Sequence, residues 1–454
     1  MKRVFGLLAL LLVIVTPALA VEYSFHGDLK SEFRINSNQS VFTASKEFAA
    51  KLNPKQSVIS DDDVNDSFAA LKYRLWTEAA SDDGAIKGVF AVEIGGLHFG
   101  DEDGGDFSGD GKILEVRWAY TDFALADGRL RVGLQPVRIN KFLWSETAAG
   151  IDYRVGDFEI AWYRGYEVVS DDNSFQDLDA LFLRYNLNPT EGTKVGFFAL
   201  WQTSDAANEF DSGVDEDGVA WQDTMDDQTW KVKKLTGFDL DLYTFGIDGG
   251  TKGDNFFANW DIMYQTGQFM EDMDFGGYLV HVDLGTKIGK GKITYTFWYA
   301  SGDDDRNDDD LDAFIATDVD INSSYASIVL FAGLNSDQYF SADPYIQDKG
   351  LIMNRLGYDT KITDKLKVGV AALYMMTAED LEYQDNSGTT DYADDAIGFE
   401  LDAYASYKLY NSLEFALAAG YLLTDDALDF YEADHDGSAD EDIYVITSRL
   451  RYKF

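Results

Sequence analysis

Two groups of ionisable residues stand out by type and spacing. Lys72, Arg74, Arg117, Arg129, Arg131, Arg154 and Arg184 form a basic group early in the chain; Asp239, Asp241, Asp261, Asp283, Glu400 and Asp402 form a later acidic one. Many sit between apolar neighbours, as in Leu71-Lys72-Tyr73-Arg74-Leu75. Presented to water along a wall, such side chains orient and sort polar solutes. Hydrolysis is a weaker reading. A nucleophilic Ser or Thr needs an adjacent base, and none of His26, His98, His281 and His435 has one in a recognisable lipase or protease context. The expectation is that the chain is not an enzyme. Metal chemistry has one candidate: Asp303, Asp305, Asp308 and Asp310, whose carboxylates suit a hard cation such as calcium. Asp308 and Asp309 stand where an EF-hand needs its glycine turn, so a solvated acidic rim competes with that reading. The chain has no cysteine, which removes disulfides, thiolate ligands and haem attachment. No cofactor is implied.

The elements that carry these groups have a period of two. Tyr23, Phe25, Leu29, Phe33 and Ile35 share one face, opposite Glu22, Ser24, His26, Asp28, Lys30, Glu32 and Arg34. The pattern recurs in 71–76, 256–265, 278–285 and 397–408, and in 114–121, where Leu114, Val116, Trp118 and Tyr120 fall on the apolar face. Period two means strands, and a polar opposite face means water on that side. Connection lengths separate a membrane barrel from a soluble sandwich. Short turns such as Ser81–Gly84, Ala126–Gly128, Gly156-Asp157 and Gly289–Gly291 alternate with long polar connections near 36–67, 100–111, 140–148, 169–177, 203–236, 267–276, 301–349, 379–395 and 425–441. Tight periplasmic turns and long outer loops joining strands of about 10 residues are the outer-membrane pattern. The expected fold is therefore an all-β, up-and-down antiparallel transmembrane barrel of about eighteen strands; sixteen stays open because 149–155 and 235–248 alternate weakly.

The two ends of the chain agree with that compartment. Lys2 and Arg3 precede an apolar run from Val4 to Val15, followed by Ala18-Leu19-Ala20. This is the order of a secretory signal peptide, and the run is shorter than the roughly 20 residues of a spanning helix. Residues 1–20 are expected to be cleaved and 21–454 to form one barrel domain. At the other end, Tyr444, Ile446, Leu450, Tyr452 and Phe454 share an apolar face. A closing aromatic of this kind resembles the assembly signal read by the barrel-assembly machinery, which assigns that role to Tyr452 and Phe454.

A barrel of sixteen to eighteen strands leaves an aqueous channel, so a porin for ions and small hydrophilic solutes is expected. The first strand begins close to the cleavage site, and only a long loop folded inward could narrow the lumen. The net charge of −44 belongs mostly to the loops and disfavours nucleic acid as a partner. Outer-membrane lipid and lipopolysaccharide are the expected surroundings, and a homotrimer is weighed against a monomer. Two readings of the wall charges stay open: a transverse field between a basic and an acidic side, or local pairing that keeps the wall wet. A barrel sheath around a partner such as a multihaem cytochrome is the alternative from another class.

The passage Tyr299-Ala300-Ser301-Gly302 into the acidic run Asp303–Asp310 resembles a loop opening of alginate-export-like outer-membrane barrels. Gly398-Phe399-Glu400-Leu401-Asp402 through Gly420-Tyr421 is similar to that group too, as is Val132–Pro136 followed by Ala148–Ile151. The resemblance covers about a third of the chain. It implies an eighteen-stranded barrel, and for its polysaccharide-exporting members an arginine-rich conduit, but the matched segments hold no conduit arginine to transfer. A substrate-specific channel for a polysaccharide or an anionic solute remains an alternative.

Overall fold

The computed structural model describes residues 21–37, 66–100, 114–166, 178–204, 212–214, 220–222, 240–269, 273–305, 308–317, 319, 326–330, 345, 346, 348–385, 387–431, 435–439 and 441–454. The proposed leader 1–20, Asp239 and the acidic run 61–63 lie outside them.

Eighteen strands close into an antiparallel barrel. They are Val21–Asn36 (β1), Asp66–Ser81 (β2), Ile86–His98 (β3), Glu115–Leu125 (β4), Gly128–Pro136 (β5) and Thr147–Val155 (β6). Phe158–Tyr166 (β7), Leu178–Thr190 (β8), Thr193–Ser204 (β9), Leu240–Lys252 (β10), Phe256–Phe269 (β11) and Tyr278–Ile288 (β12) follow. Gly291–Ala300 (β13), Leu351–Lys361 (β14), Leu366–Gln384 (β15), Asp391–Tyr410 (β16), Leu413–Thr424 (β17) and Ile443–Lys453 (β18) complete the circuit. The two weakly alternating segments are thus strands β6 and β10. Every strand pairs with its chain neighbours, and β1 closes on β18 with Asp28 opposite Lys453 and Ile35 opposite Ile446. Tight turns join one end; Gly156 and Gly289, at φ +56° and +60°, supply the left-handed residue that a short hairpin turn requires.

The outer face is the apolar one. Phe25, Phe33, Phe245, Ile262, Leu284, Leu356, Val370 and Leu401 are all exposed along the strands. A continuous belt of exposed aliphatic and aromatic side chains is unstable in water and stable in lipid. At the seam, the Phe454 amide donates to the Gly27 carbonyl at 3.1 Å and the Gly27 amide to the Phe454 carbonyl at 3.0 Å. The Phe454 ring packs 5.7 Å from Phe25 and 5.1 Å from Tyr452, so the closing aromatic fastens the last strand to the first.

Two strands place residues on faces other than those their sequence suggests. In β4 a bulge leaves Ala91 opposite Trp118 but Val92 opposite Val116, with Arg117 as the extra residue. Arg117 and Trp118 therefore both turn inward, and Tyr120 follows, while Ala119 and Thr121 face outward. Placing Trp118 and Tyr120 on the lipid face is corrected accordingly. Gly133, opposite Tyr120 with φ +125°, lets the backbones approach here; a Cβ would overlap the Ala119 carbonyl.

In β10 the inward residues are Leu240, Leu242, Thr244 and Asp248, while Tyr243, Phe245 and Ile247 are exposed outside. Asp241 shares that outer face and accepts a 2.8 Å hydrogen bond from the Trp201 indole, so it does not face the lumen. The physical reason is that apolar chain packs inside the barrel at this height: Leu240 and Leu242 bury against Leu311, Ala313 and Ile315.

Candidate pore and its constriction

Among the described residues, 137–146 and parts of 301–349 fold into the lumen. Residues 137–146 join β5 to β6, yet Asn140 Nδ2 donates to Asp261 Oδ1 on β11 at 2.6 Å and approaches Asp248 on β10. Contacts so far around the wall require the segment to cross the interior. Val137, Ile139, Phe142, Leu143 and Trp144 are fully buried there. The described parts of 301–349 meet this segment from another side. The Thr317 amide donates to the Leu143 carbonyl at 2.8 Å, and the Tyr345 hydroxyl to the Phe142 carbonyl at 2.5 Å. Gln265 acts as a clamp on the same path, accepting from the Ile315 amide at 2.8 Å and donating to its carbonyl at 2.7 Å.

These segments build an apolar core inside the barrel. Phe142 packs 4.6 Å from His281 and 4.8 Å from Trp298, and Tyr345 packs against Trp298 and Phe314. Inward residues along β7–β17, among them Tyr163, Phe182, Leu200, Leu242, Met263, Leu279, Met353, Leu373 and Leu422, are sealed beneath it. On β1–β5, His26, Asp28, Lys30, Lys72, Arg74, Trp76, Arg117, Trp118, Tyr120 and Arg131 keep partial exposure, while Glu32, Arg34, Ala91, Glu93, Asp122 and Gln135 between them are buried. The lumen is therefore lopsided: one side is packed, the other stays accessible. A cavity of about 990 Å³ opens at the short-turn end below the constriction, edged by Asn186, Lys194, Asp248, Lys252 and Asn259.

The basic group meets carboxylates locally. Glu93 takes Arg74 and Lys72, the latter at 3.4 Å, and lies 4.0 Å from Arg117, which also pairs with Glu146. Asp122 takes Arg129 at 2.5 Å and Arg131 at 3.1 Å. Arg154 lies between Asp152 at 2.7 Å and Glu159 at 2.9 Å. Arg184 grips Asp248 on β10 and reaches the Ile139 carbonyl at 3.4 Å. Of the two readings of the wall, this geometry favours local pairing over a transverse field. Asp122, Asp152, Glu159 and Asp248 were not singled out from sequence; Asp152 and Glu159 flank Arg154 closely, whereas Asp122 and Asp248 come to the inner face only through the β4 bulge and the true facing of β10.

The acidic group is mostly structural. Asp261 and Asp283 flank His281, whose Nδ1 is 2.9 Å from Asp261 and Nε2 3.4 Å from Asp283. Glu400 is fully buried and caps an inward segment, accepting from Ser327 Oγ at 2.5 Å and from the Ile328 and Val329 amides at 2.9 and 3.1 Å. Asp402 is buried next to it. The calcium candidates do not converge: Asp303 is buried, Asp305, Asp308 and Asp310 are exposed, and among the described residues no cluster of three or more metal-ligating groups exists. Burial, with Asp348 nearby, pushes the Asp303 carboxyl up to about 6, against the pull of Lys349.

A closed eighteen-stranded barrel with an apolar outer belt and an inward-folded constriction defines the architecture of an outer-membrane barrel protein. No family model matches the chain, and no curated protein sequence matches it. Solved structures do. The chain superposes on OccK9 (OpdG) of Pseudomonas aeruginosa with a TM-score of 0.53 at 10% identity, covering 95% of this chain and 98% of that one. It superposes on OpdL of the same organism with a TM-score of 0.53 at 10% identity, covering 95% and 99%. For the outer membrane protein OprD the TM-score is 0.50 at 11% identity, covering 95% and 93%. The likeness is one of fold, and it does not single out the alginate-export-like group.

Proposed function

We propose that this chain is an outer-membrane porin, a passive channel for ions and small hydrophilic solutes whose path runs against the inner wall of β1–β5. The observation that carries this reading is the lopsided lumen: charged and polar residues keep contact with water on that wall, while the opposite side is closed by packed apolar side chains and buried polar groups. The OprD-type barrels share the fold. Packed inner segments also occupy the space that an enclosed partner such as a cytochrome would need, which speaks against the sheath reading. The finer likeness to alginate-export-like barrels rests on Tyr299–Asp310, on β16–β17 and on Val132–Pro136 with Ala148–Ile151, segments that hold no conduit arginine to transfer, so it supports architecture more than substrate. In this reading residues 1–20 are a cleaved leader, and the Phe454 seam serves recognition by the assembly machinery. Single-channel recording in planar bilayers tests the porin reading. Discrete, stable conductance steps are expected, with modest cation preference at low salt from the acidic rim, fading as the Debye length falls below about 10 Å. Folded protein that inserts and never conducts would overturn it.

A further inference from the structure

The accessible wall carries a half-buried aromatic strip. His26 on β1 stacks on Trp76 of β2 with centroids 5.2 Å apart, and Trp76 meets Trp118 of β4 edge-to-face at 5.8 Å. Tyr120 continues the strip one inward position along β4. The aromatics on the opposite side, Phe142, Trp298 and Tyr345, are wholly buried; these four are only half-buried and lie on the side where the lumen stays open. The β4 bulge delivers two of the four rings, because Trp118 and Tyr120 would otherwise face lipid. Left partly in contact with the conduit, these rings present apolar faces that a passing solute can cover.

The rim of the strip narrows the chemistry of that solute. The Arg74 guanidinium lies 4.9 Å over the Trp118 ring and the Arg131 guanidinium 4.8 Å over Tyr120. Each guanidinium is also paired with a carboxylate, Arg74 with Glu93 and Arg131 with Asp122, and Asp28 takes Arg451. The rim therefore offers donors and acceptors side by side. A carboxylate solute needs donors only; a hydroxyl needs both. The rings do not form a parallel slot for a flat aromatic solute, since Trp76 and Trp118 are inclined at 71°. A pyranose ring fits both features, with C–H groups on its faces and hydroxyls around its edge.

We propose that His26, Trp76, Trp118 and Tyr120, with Arg74 and Arg131 at their margin, form a saccharide-binding track along the permeation path. The track rests on the porin reading and names a solute class for it. The test uses a neutral glucose hexamer, and benzoate as the flat carboxylate control, added to the full-length barrel in bilayers. The hexamer should interrupt the ion current in a concentration-dependent way, and benzoate should not. Trp76→Leu with Trp118→Leu should weaken the hexamer's apparent affinity at least tenfold while open-channel steps persist. A tryptophan-fluorescence titration of detergent-folded protein with the hexamer supplies a readout that needs no conduction. Channels that conduct yet ignore the hexamer, with no change in fluorescence, overturn the track and leave the porin reading standing. Block by benzoate alone, or undiminished block in the double variant, overturns it too. Absence of conduction together with saturable quenching overturns the porin reading and leaves the site.

Discussion

Replacing Phe142 and Trp144 together by alanine should release the constriction far more than replacing Asp261, although Asp261 accepts a short hydrogen bond from Asn140 of the segment. Asp261 takes hydrogen bonds from Asn140 at 2.6 Å and His281 at 2.9 Å. Bonds to a charged group contribute about 1.5–3 kcal/mol each. Only the Asn140 bond holds the segment directly, and Asn140 keeps Asp248 within 3.5 Å, so Asp261→Ala costs the docked state about 3 kcal/mol or less. Phe142 and Trp144 are each 2% exposed, and truncating such a side chain costs about 3–5 kcal/mol, on the order of 6–10 together. Ordering the segment costs entropy of comparable size, so the net hold is small and the variants compare by their differences. At about 1.4 kcal/mol per factor of ten, the undocked-to-docked ratio rises roughly 100-fold at most for Asp261→Ala and at least about 10⁴-fold for the double variant, which leaves the latter mostly undocked. Arg138 and Lys141 make this measurable, because trypsin cleaves there once the segment leaves the lumen. Cleavage and noisy excursions to higher conductance should both follow that order. Equal or faster cleavage of Asp261→Ala would refute packing as the dominant hold.

Three further outcomes follow from the same geometry. Deleting Arg117 removes the β4 bulge without changing which neighbours face inward, so heat-modifiable folded barrel should still form; loss of folding would show that the bulge itself is required. Burial holds the Asp303 carboxyl at about 6 in the docked segment against its ordinary 3.8, so the docked form favours the proton. That contribution is fully present below about pH 4 and is lost as pH rises through about 6, so channel noise should increase from pH 4 to 7, and Asp303→Asn, facing Asp348 and Lys349, should flatten the dependence. Removing Phe454 deletes two backbone bonds to Gly27 and the contact with Phe25, and should lower the yield of folded barrel in outer-membrane fractions.

The circuit of strands was legible because every strand had to solve the same problem: apolar outside, hydrogen-bonded edges, short turns at one end. That constraint is local, so Tyr23–Ile35 or Leu279–Gly285 announce it on their own. Asp241 was misplaced for a physical reason. Where chain folds into the lumen, the inner face becomes apolar too, so Leu240 and Leu242 mimic a lipid face and the polar residue between them mimics a lumen face. The β4 bulge was invisible because Arg117, Trp118 and Tyr120 read as regular alternation until the register with Ala91 and Val92 is known. The inward path of Val137–Trp144 carries no period of its own, and its anchors, Asp248, Asp261 and Tyr345, lie more than a hundred residues away. Pairing of Arg131 with Asp122 or Arg154 with Glu159 needed only the hairpin register, and was within reach.

Cysteine accessibility during single-channel recording tests the proposed path most directly. Single cysteines replacing Lys72 or Arg131 on the open wall, or Leu200, Met353 or Leu373 on the packed wall, would be exposed to a charged, water-soluble thiol reagent while current is followed. The account predicts stepwise loss of current for the first pair and none for the other three, at unchanged folded yield. Reaction confined to Leu200, Met353 and Leu373, or no reaction at Lys72 and Arg131 in a conducting barrel, would contradict it.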